Sequence, residues 1–423
     1  MASIYETLES RGLIAQSSDP ALAELLAKER FVIYVGFDPT ADSLHLGHMV
    51  PVMALAHFQR AGHGVIALIG GATAMVGDPS GRSDERNLMS AEQVRANGEQ
   101  VRRQLAHFLD FDGPNAAVMV DNMDWTAPMS FIDWLRDVGK YFTVNYMVAK
   151  DSVKSRMGSE HGISFTEFSY MTMQAYDFLQ LHDYHGCRLQ GGGNDQWGNI
   201  TAGIDLVRRV RQSTVYGLTF PLMTTAGGAK FGKSAGNAIW LDSARTSPWD
   251  FYQYLVRQDD RDVIRFLRTY TFLPGERIEE LERALAAHPE RRDAQKALAF
   301  EVTAMVHGAD VAGEMQHAAE IVYDERIEGI GDRTLRDVFA AVPTSTIARH
   351  QLEGGMDILE LMLAAGMVKS KSEGRRLLDA GGVYVNNLRV EPGTLVGAGH
   401  LASESLMVLR SGKKNYYLVQ VMD

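Results

Sequence analysis

Cysteine is almost absent: Cys187 stands alone among 423 residues. One thiol cannot close an intramolecular disulfide, and a cysteine-ligated zinc site is excluded. Long apolar runs are absent too. The longest, VIALIGGATAMVG, is too short and too rich in glycine to span a bilayer, so no membrane partner is expected. The opening MASIYETLESRGLIAQ has no basic stretch followed by an apolar one. No signal peptide is therefore expected, and a cytoplasmic location is. Positive charge is in deficit, with 42 basic against 53 acidic residues and a formal charge of −11. No basic field coats the whole molecule, and a nucleic-acid partner would have to meet local patches on an acidic body. There is no internal repeat and no low-complexity tract. What is present is ordinary globular material, 45% hydrophobic and 22% charged, in a chain long enough for two or three domains.

The apolar pattern sets out the organisation. FVIYVGFD (31–38) reads as a short buried strand ending at a glycine and an aspartate, followed by the loop PTADSLHLGH and the helical pattern MVPVMALAHFQRAG. Pro51 sits near the start of that helix, where a missing N–H costs little. VIALIGG completes a strand–loop–helix–strand unit, and AAVMVDN, CRLQGGG and LTFPLM supply further strands with helical stretches between them. Alternating strands and helices predict an α/β fold with a doubly wound, mostly parallel sheet over residues 1–240. Residues 241–325 read as an α-helical domain, and 326–355, weakly patterned with GIGD, VPTST and GG, as a linker. Residues 356–423 form a small α+β domain. It carries eight basic and seven acidic residues against a net −12 for the rest of the chain.

Two loops carry chemical promise. In HLGH, His45 and His48 are three apart and share one face at a helix start, while Gly47 between them removes a side chain. Two imidazoles at a helix amino terminus suit a phosphate; a metal site or simple solvated polarity fits the spacing equally well. In TTAGGAKFGKSAG, Lys230 and Lys233 lie on a glycine-rich loop able to close over a polyphosphate, although short lysine motifs are usually just solvated. The helix TEFSYMTMQAYDFLQ places Tyr170, Gln174 and Asp177 at i, i+4 and i+7 on one face. Phe168, Met171, Ala175 and Phe178 form a separate apolar stripe. An aspartate among aromatics in an apolar setting suggests a lined polar pocket.

HLGH followed far downstream by KFGKS resembles the paired signature of class I aminoacyl-tRNA synthetases. The longer strings YVGFDPTADSLHLGH, GGATAMVGDPSGR, FTEFSYMTMQAYDF, GGNDQWGNI and KFGKS, in that order, resemble the bacterial tyrosyl-tRNA synthetase family. The resemblance implies a Rossmann-like catalytic domain that joins tyrosine to ATP and then to tRNA, with ATP as a substrate accompanied by Mg2+ and no tightly bound cofactor. It implies that Asp78, Tyr170 and Gln174 hold the substrate ammonium, that Tyr34 and Asp177 bond the phenol hydroxyl, and that Gln196 sits near the carboxylate. For ATP it implies Gly36, Asp38, Gly47, Gly193 and Asp195 around the nucleoside. Thr40, His45, His48, Arg82, Arg86, Lys230 and Lys233 would lie on the phosphates. A homodimer is implied, with apolar residues 125–147 at its interface.

The sequence departs from the family pattern at Val35, where a cysteine is common, at Asn194, where a serine is usual, and in KFGKS itself, a variant of the generic KMSKS. For RNA, Arg208, Arg209 and Arg211 in DLVRRVRQ and the cluster Lys150, Lys154 and Arg156 are either solvated helix faces or contacts. Residues from LLAAGMVKSKSEGRRLLDAGGVYVNN resemble the S4-type RNA-binding module, with Lys369, Lys371, Arg375 and Arg376 on or beside a helix where they would neutralise phosphates. The rival expectations are a non-catalytic RNA-binding protein on the same scaffold and, among enzymes, a synthetase for tryptophan or another nucleotidyl transferase. Retention of His45, His48, Lys230 and Lys233 weighs against the first, and the pair Tyr34 and Asp177 against the second.

Overall fold

The computed structural model describes residues 2–80, 89–158, 162–234, 237–322, 326–412 and 415–422, with side chains at all of these except 233, 234 and 237. The chain divides into two compact units, Met1–Arg245 with Gln258–Leu298, and Thr246–Arg257 with Ala299–Asp423.

The first unit is built on six strands: β1 (Gln16–Ser17), β2 (Val32–Phe37), β3 (Gly64–Ile69), β4 (Val118–Asp121), β5 (Leu189–Gly193) and β6 (Tyr216–Phe220). Their order is β1-β6-β5-β2-β3-β4, parallel throughout except for the antiparallel edge strand β1. Strands such as β3 and β6 are apolar along nearly their whole length because helices cover both faces. The chain leaves β2 toward β3 on one side and returns to β5 on the other. The topological switch point therefore lies at the carboxyl ends of β2 and β5, where such folds bind ligands.

Three helices frame that crevice. α1 (Met49–Arg60) follows β2 after a single 3-10 turn, Leu46–His48, and is buried over most of its length. α2 (Phe165–His185) starts at Ser164, whose hydroxyl accepts the Glu167 N–H, and stops at Gly186 in the left-handed region. α3 (Trp197–Arg211) packs tightly on α2: a Cβ at Gly203 would lie 3.0 Å from the Phe178 ring. Tyr34, Met171, Ala175 and Phe178 belong to the core between them. A short hairpin of β7 (Lys233–Ser234) and β8 (Asn237–Ala238) follows, and α4 (Asp260–Tyr270) backs it.

The remaining chain differs from expectation in two ways. The helical stretch after residue 240 is divided: α4 and the helix Gly275–Ala287 belong to the first unit, Pro248–Val256 and Ala309–Ile321 to the second. The stretch 326–355, expected as a linker, contains α5 (Asp332–Val338) and β9 (Thr344–Ala348). After β9 come β10 (Met356–Asp357), β11 (Val383–Val385), β12 (Leu388–Arg389), β13 (Leu395–Val396), β14 (Leu406–Ser411) and β15 (Asn415–Met422). β9 closes the sheet β12-β11-β14-β15-β9 by parallel pairing with β15. Of its five residues TSTIA only Ile347 enters the core, which is why no apolar alternation marked it as a strand.

Candidate active site

A cavity of about 390 Å³ opens at the switch point. Its floor is a set of carboxylates held by hydrogen bonds from distant segments. Asp177 on α2 is 2% exposed and accepts from Asn122 Nδ2 at 3.0 Å and from the Trp125 indole N–H at 2.8 Å. Burial pushes its carboxyl up to about 7 against the pull of those two donors. Across from it on β2, the Tyr34 hydroxyl is buried with no partner among the described residues. Burial and then the Asp177 charge hold this phenol well above its ordinary value, so it remains a neutral donor. An unmet buried hydroxyl costs about 1–3 kcal/mol. A ligand hydroxyl placed between the two would accept from Tyr34 and donate to Asp177.

Farther along, Asp38 accepts from the Tyr170 hydroxyl at 2.7 Å and from the Thr73 hydroxyl at 2.7 Å. Thr73 accepts in turn from Asn122 Nδ2 at 3.0 Å, and Asn122 Oδ1 takes the Ala72 N–H at 2.8 Å. One asparagine thus ties the Asp177 carboxylate to the Asp38 carboxylate. Asp78 accepts from Gln196 Nε2 at 2.7 Å and from the Ser80 N–H at 2.9 Å, and Asn199 steadies Gln196 at 3.1 Å. Gln174 and Asp195 complete this lining. Burial, with Asp78 close by, raises the Asp195 carboxyl, and Lys230 draws it back. Four carboxylates on one small cavity call for a cationic group on the ligand. The glycines make room for them. A Cβ at Gly193 would fall 2.5 Å from Asp195 Oδ1, and one at Gly70 2.0 Å from Asp38 Oδ1. At Gly36 a Cβ would touch only Leu68, at 3.7 Å, and would take up cavity space instead.

The other part of the lining is basic. The Gly47 N–H donates to His45 Nδ1 at 3.1 Å and the His45 N–H to His48 Nδ1 at 3.2 Å, with the two rings stacked 3.8 Å apart. Because each Nδ1 accepts, a neutral ring carries its proton on Nε2, a nitrogen that can donate to an anion. A Cβ at Gly47 would lie 2.9 Å from the His45 ring, so glycine here protects the ring position. α1 begins at this turn and adds the positive end of its dipole. The lysine loop is laced to the same turn. The Phe231 N–H donates to the Met223 carbonyl at 2.9 Å, Ile239 N–H to the Gly232 carbonyl at 2.7 Å, and Leu46 N–H to the Ile239 carbonyl at 3.0 Å. The Phe231 ring is buried 4.0 Å from Phe266 and 5.0 Å from Tyr270 of α4. Gly232 has φ +83°, and a Cβ on it would sit 2.9 Å from Leu46 Cβ. Thr40 and the exposed Lys230 line the cavity on this side.

Carboxylates for a cation, a donor–acceptor pair for a hydroxyl, and imidazoles with a lysine for phosphates form one continuous site. Comparison with known proteins shows the family of the chain. The family of class I tRNA synthetases for tryptophan and tyrosine matches residues 26–324, and the tyrosine–tRNA ligase SYY-like C-terminal domain matches 334–419. A tyrosine–tRNA ligase of Roseiflexus castenholzii is 49% identical over 425 aligned residues, covering all of both chains. The chain belongs to the tyrosine–tRNA ligase family. A relative from Geobacillus stearothermophilus, also a tyrosine–tRNA ligase, is 47% identical over 98% of each chain. Among solved structures, a C-terminally truncated mitochondrial tyrosyl-tRNA synthetase of Aspergillus nidulans superimposes with a TM-score of 0.70 at 35% identity, covering 76% of this chain and 94% of that one. The fold is that of the class I synthetases.

With the tyrosine–tRNA ligase family established, the expected site residues can be set against the geometry. Tyr34, Gly36, Asp38, Thr40, His45, Gly47, His48, Asp78, Tyr170, Gln174, Asp177, Gly193, Asp195, Gln196 and Lys230 all line the one cavity. Lys233 is on β7 with its side chain outside the described atoms, and Arg82 and Arg86 lie outside the described residues. Thr73, Asn122 and Trp125 were missed. Trp125 opens the segment 125–147 expected at a subunit interface, yet its indole is spent on Asp177. Val35 is buried against Gly191, where a Cβ would lie 3.0 Å from Val35 Cγ2. Of the cations considered for RNA, Arg156 is buried, its two terminal nitrogens 3.2 and 2.7 Å from Glu167 at the head of α2, and cannot face RNA. Arg208 pairs with Asp205 at 2.7 Å and Arg209 donates to the Tyr141 carbonyl at 2.7 Å. Lys369, Lys371, Arg375 and Arg376 are exposed on or beside α6 (Lys371–Asp379). No helix among the described residues is long and apolar enough to cross a membrane.

Proposed function

We propose that this cavity activates L-tyrosine with ATP and that the chain then transfers the tyrosyl group to tRNA. The observation that carries the reading is the buried pair of an unpartnered Tyr34 hydroxyl and an Asp177 carboxylate anchored by Asn122 and Trp125. Tyrosine would set its phenol between them and its ammonium against Asp78, Asp38, Tyr170 and Gln174. Its carboxylate, near Gln196, attacks the ATP α-phosphate in line. The new bond is carboxyl oxygen to phosphorus, the broken one is phosphorus to the bridging oxygen of pyrophosphate, and the electron pair leaves on pyrophosphate. No side chain acts as nucleophile. His45, His48 and Thr40, with Lys230 and Lys233 from the loop, stabilise charge that grows on the departing phosphates, which is work done in the transition state.

Gly36, Asp38, Gly47, Gly193 and Asp195 would border the nucleoside, and Arg82 and Arg86 would reach the pyrophosphate. Among the described residues no three His, Cys, Asp or Glu side chains gather into a metal site. Mg2+ would arrive on the ATP phosphates, with one cavity carboxylate as an added ligand. The terminal ribose hydroxyl of the tRNA then takes the acyl group from the adenylate. The exposed cations around α6 would neutralise tRNA phosphates, with Arg208 and Arg209 weaker contributors because protein groups already occupy them.

An apolar groove of about 550 Å³, lined by Phe131, Trp134, Phe142, Val144 and Phe165 with the exposed Ile132 nearby in sequence, supports a homodimer. A patch of this kind on the segment 125–147 suits a second copy of the chain, and a cytoplasmic site of action suits the chemistry. ATP–pyrophosphate exchange run with each amino acid in turn tests the central reading. Tyrosine alone should support it, and equal exchange with phenylalanine or tryptophan would refute it.

A further inference from the structure

His45 is held by more than its own turn. Trp240, just beyond the lysine hairpin, forms an isolated antiparallel bridge with His45, flanked by Leu46 N–H to the Ile239 carbonyl at 3.0 Å and Leu241 N–H to the Leu44 carbonyl at 2.9 Å. The indole meets the His45 ring edge-on, with centroids 5.8 Å apart and planes at 67°. His48 stacks on the same ring at 3.8 Å. The Arg245 guanidinium lies 4.2 Å from the Trp240 ring centroid, and its Nε is 2.6 Å from Asp42 Oδ1. Asp42 stands three residues before His45. The contacts therefore form a closed chain, Asp42 to Arg245 to Trp240 to His45, which spans the loop before the HLGH turn and the segment after the lysine hairpin.

We propose that Trp240 is a positioning residue for adenylate formation: buttressed by Arg245 and Asp42, it fixes the His45 ring so that Nε2 meets the phosphates, and it ties that ring to the lysine hairpin. This rests on the reading of the cavity as a site of ATP activation. A flat ring meeting another edge-on restrains tilt as well as position, and the guanidinium over the indole restrains the indole. None of these three residues needs to touch ATP. An ångström of drift at a phosphate-binding group is enough to slow an in-line transfer strongly.

The experiment measures the rate of adenylate formation in single turnovers at saturating ATP, and the tyrosine dissociation constant by equilibrium dialysis. It uses the full chain with Trp240→Leu, Trp240→Phe and Arg245→Met, each made with His45 present and in a His45→Ala background. Trp240→Leu should slow the step about 10- to 100-fold with tyrosine binding little changed, and Trp240→Phe should restore most of the rate. In the His45→Ala background the same substitution should add little, because its effect runs through that ring. Arg245→Met, at a partly exposed side chain, should show a smaller loss with the same dependence on His45. It carries the comparison alone if Trp240→Leu does not fold.

An equal loss in both backgrounds, or no loss in either, overturns the proposal. A slow His45→Ala enzyme beside a fast Trp240→Leu enzyme overturns this inference and leaves the function standing. A His45→Ala enzyme as fast as the parent overturns both.

Discussion

At the scale of single residues, the proposed selectivity rests on a buried Tyr34 hydroxyl with no partner among the described residues, facing an Asp177 carboxylate that Asn122 and Trp125 hold in place and that can accept one donor more. Tyr34→Phe removes the orphan hydroxyl. Denaturant unfolding should find the free protein as stable as the parent or more so, while exchange kinetics should show the advantage of tyrosine over phenylalanine falling about tenfold. Asp177 supplies a pH test. Burial raises its folded carboxyl to about 7 from an ordinary 3.8, so the folded state binds the proton more tightly than the unfolded chain. The parent should therefore lose stability relative to Asp177→Asn as pH rises from about 4 to 7, by about 4 kcal/mol at most. Tyrosine binding needs the carboxylate as acceptor, so it should release a proton and tighten as pH rises toward 7, a trend that Asp177→Asn abolishes. Titration calorimetry in two buffers of different ionisation heat reads that proton. The i, i+4, i+7 spacing made Tyr170, Gln174 and Asp177 legible in the sequence because one helix face is a local property. Thr73, Asn122 and Trp125 were not legible. They meet Asp38 and Asp177 across 35 to 55 residues of chain, and nothing local in sequence marks such a meeting.

At the scale of elements, the lysine loop is pinned at two points, Phe231 in the aromatic pocket of α4 and Gly232 over Leu46, which suits the role proposed for it. Gly232→Ala faces both a positive φ and a close contact with Leu46. The loop should shift, slowing adenylate formation while tyrosine affinity, set by α2 and β2, holds. Lys233→Ala should slow the same step by orders of magnitude with the same indifference to tyrosine binding. Single-turnover rates and equilibrium dialysis decide both, and parallel losses of rate and binding would mean that the loop acts on the ground state. The parallel strands β2, β3, β4 and β6 were readable because each is a short, largely apolar run, whereas β5, LQGGG, offers only Leu189 and a row of glycines. The antiparallel strand β1 was not, because Gln16 and Ser17 offer no apolar pattern and owe their conformation to pairing with Thr219 and Leu218.

At the scale of the whole molecule, activation and tRNA engagement should separate. The adenylate site lies within the first unit, and the exposed cations of α6 lie in the second. A chain ended at Gly354 would keep β9 but lose β15, which pairs with it, and would leave an unpaired strand prone to association. A chain ended near residue 322 removes β9 as well. Of the two, the shorter should be the better behaved in size-exclusion chromatography, should exchange pyrophosphate, and should charge little tRNA. For the full chain, tRNA affinity should fall steeply with added salt while exchange does not, since only the first depends on neutralised phosphates. Alanine at Lys369, Lys371, Arg375 and Arg376 together should flatten that salt dependence. The charge contrast singled out residues 356–423, but the second unit comprises Thr246–Arg257 and Ala299–Asp423 and takes in β9, whose partner lies some seventy residues away and left no local mark in the sequence.

The most direct test compares tyrosine and phenylalanine in ATP–pyrophosphate exchange, in the parent and in Asp177→Asn side by side at pH 8. A site built to bond a hydroxyl rejects the analogue that lacks it. The parent should therefore prefer tyrosine by orders of magnitude in kcat/KM, and Asp177→Asn should lose most of that preference through its activity on tyrosine. Comparable use of both amino acids by the parent, or an unchanged preference in Asp177→Asn, would contradict the account.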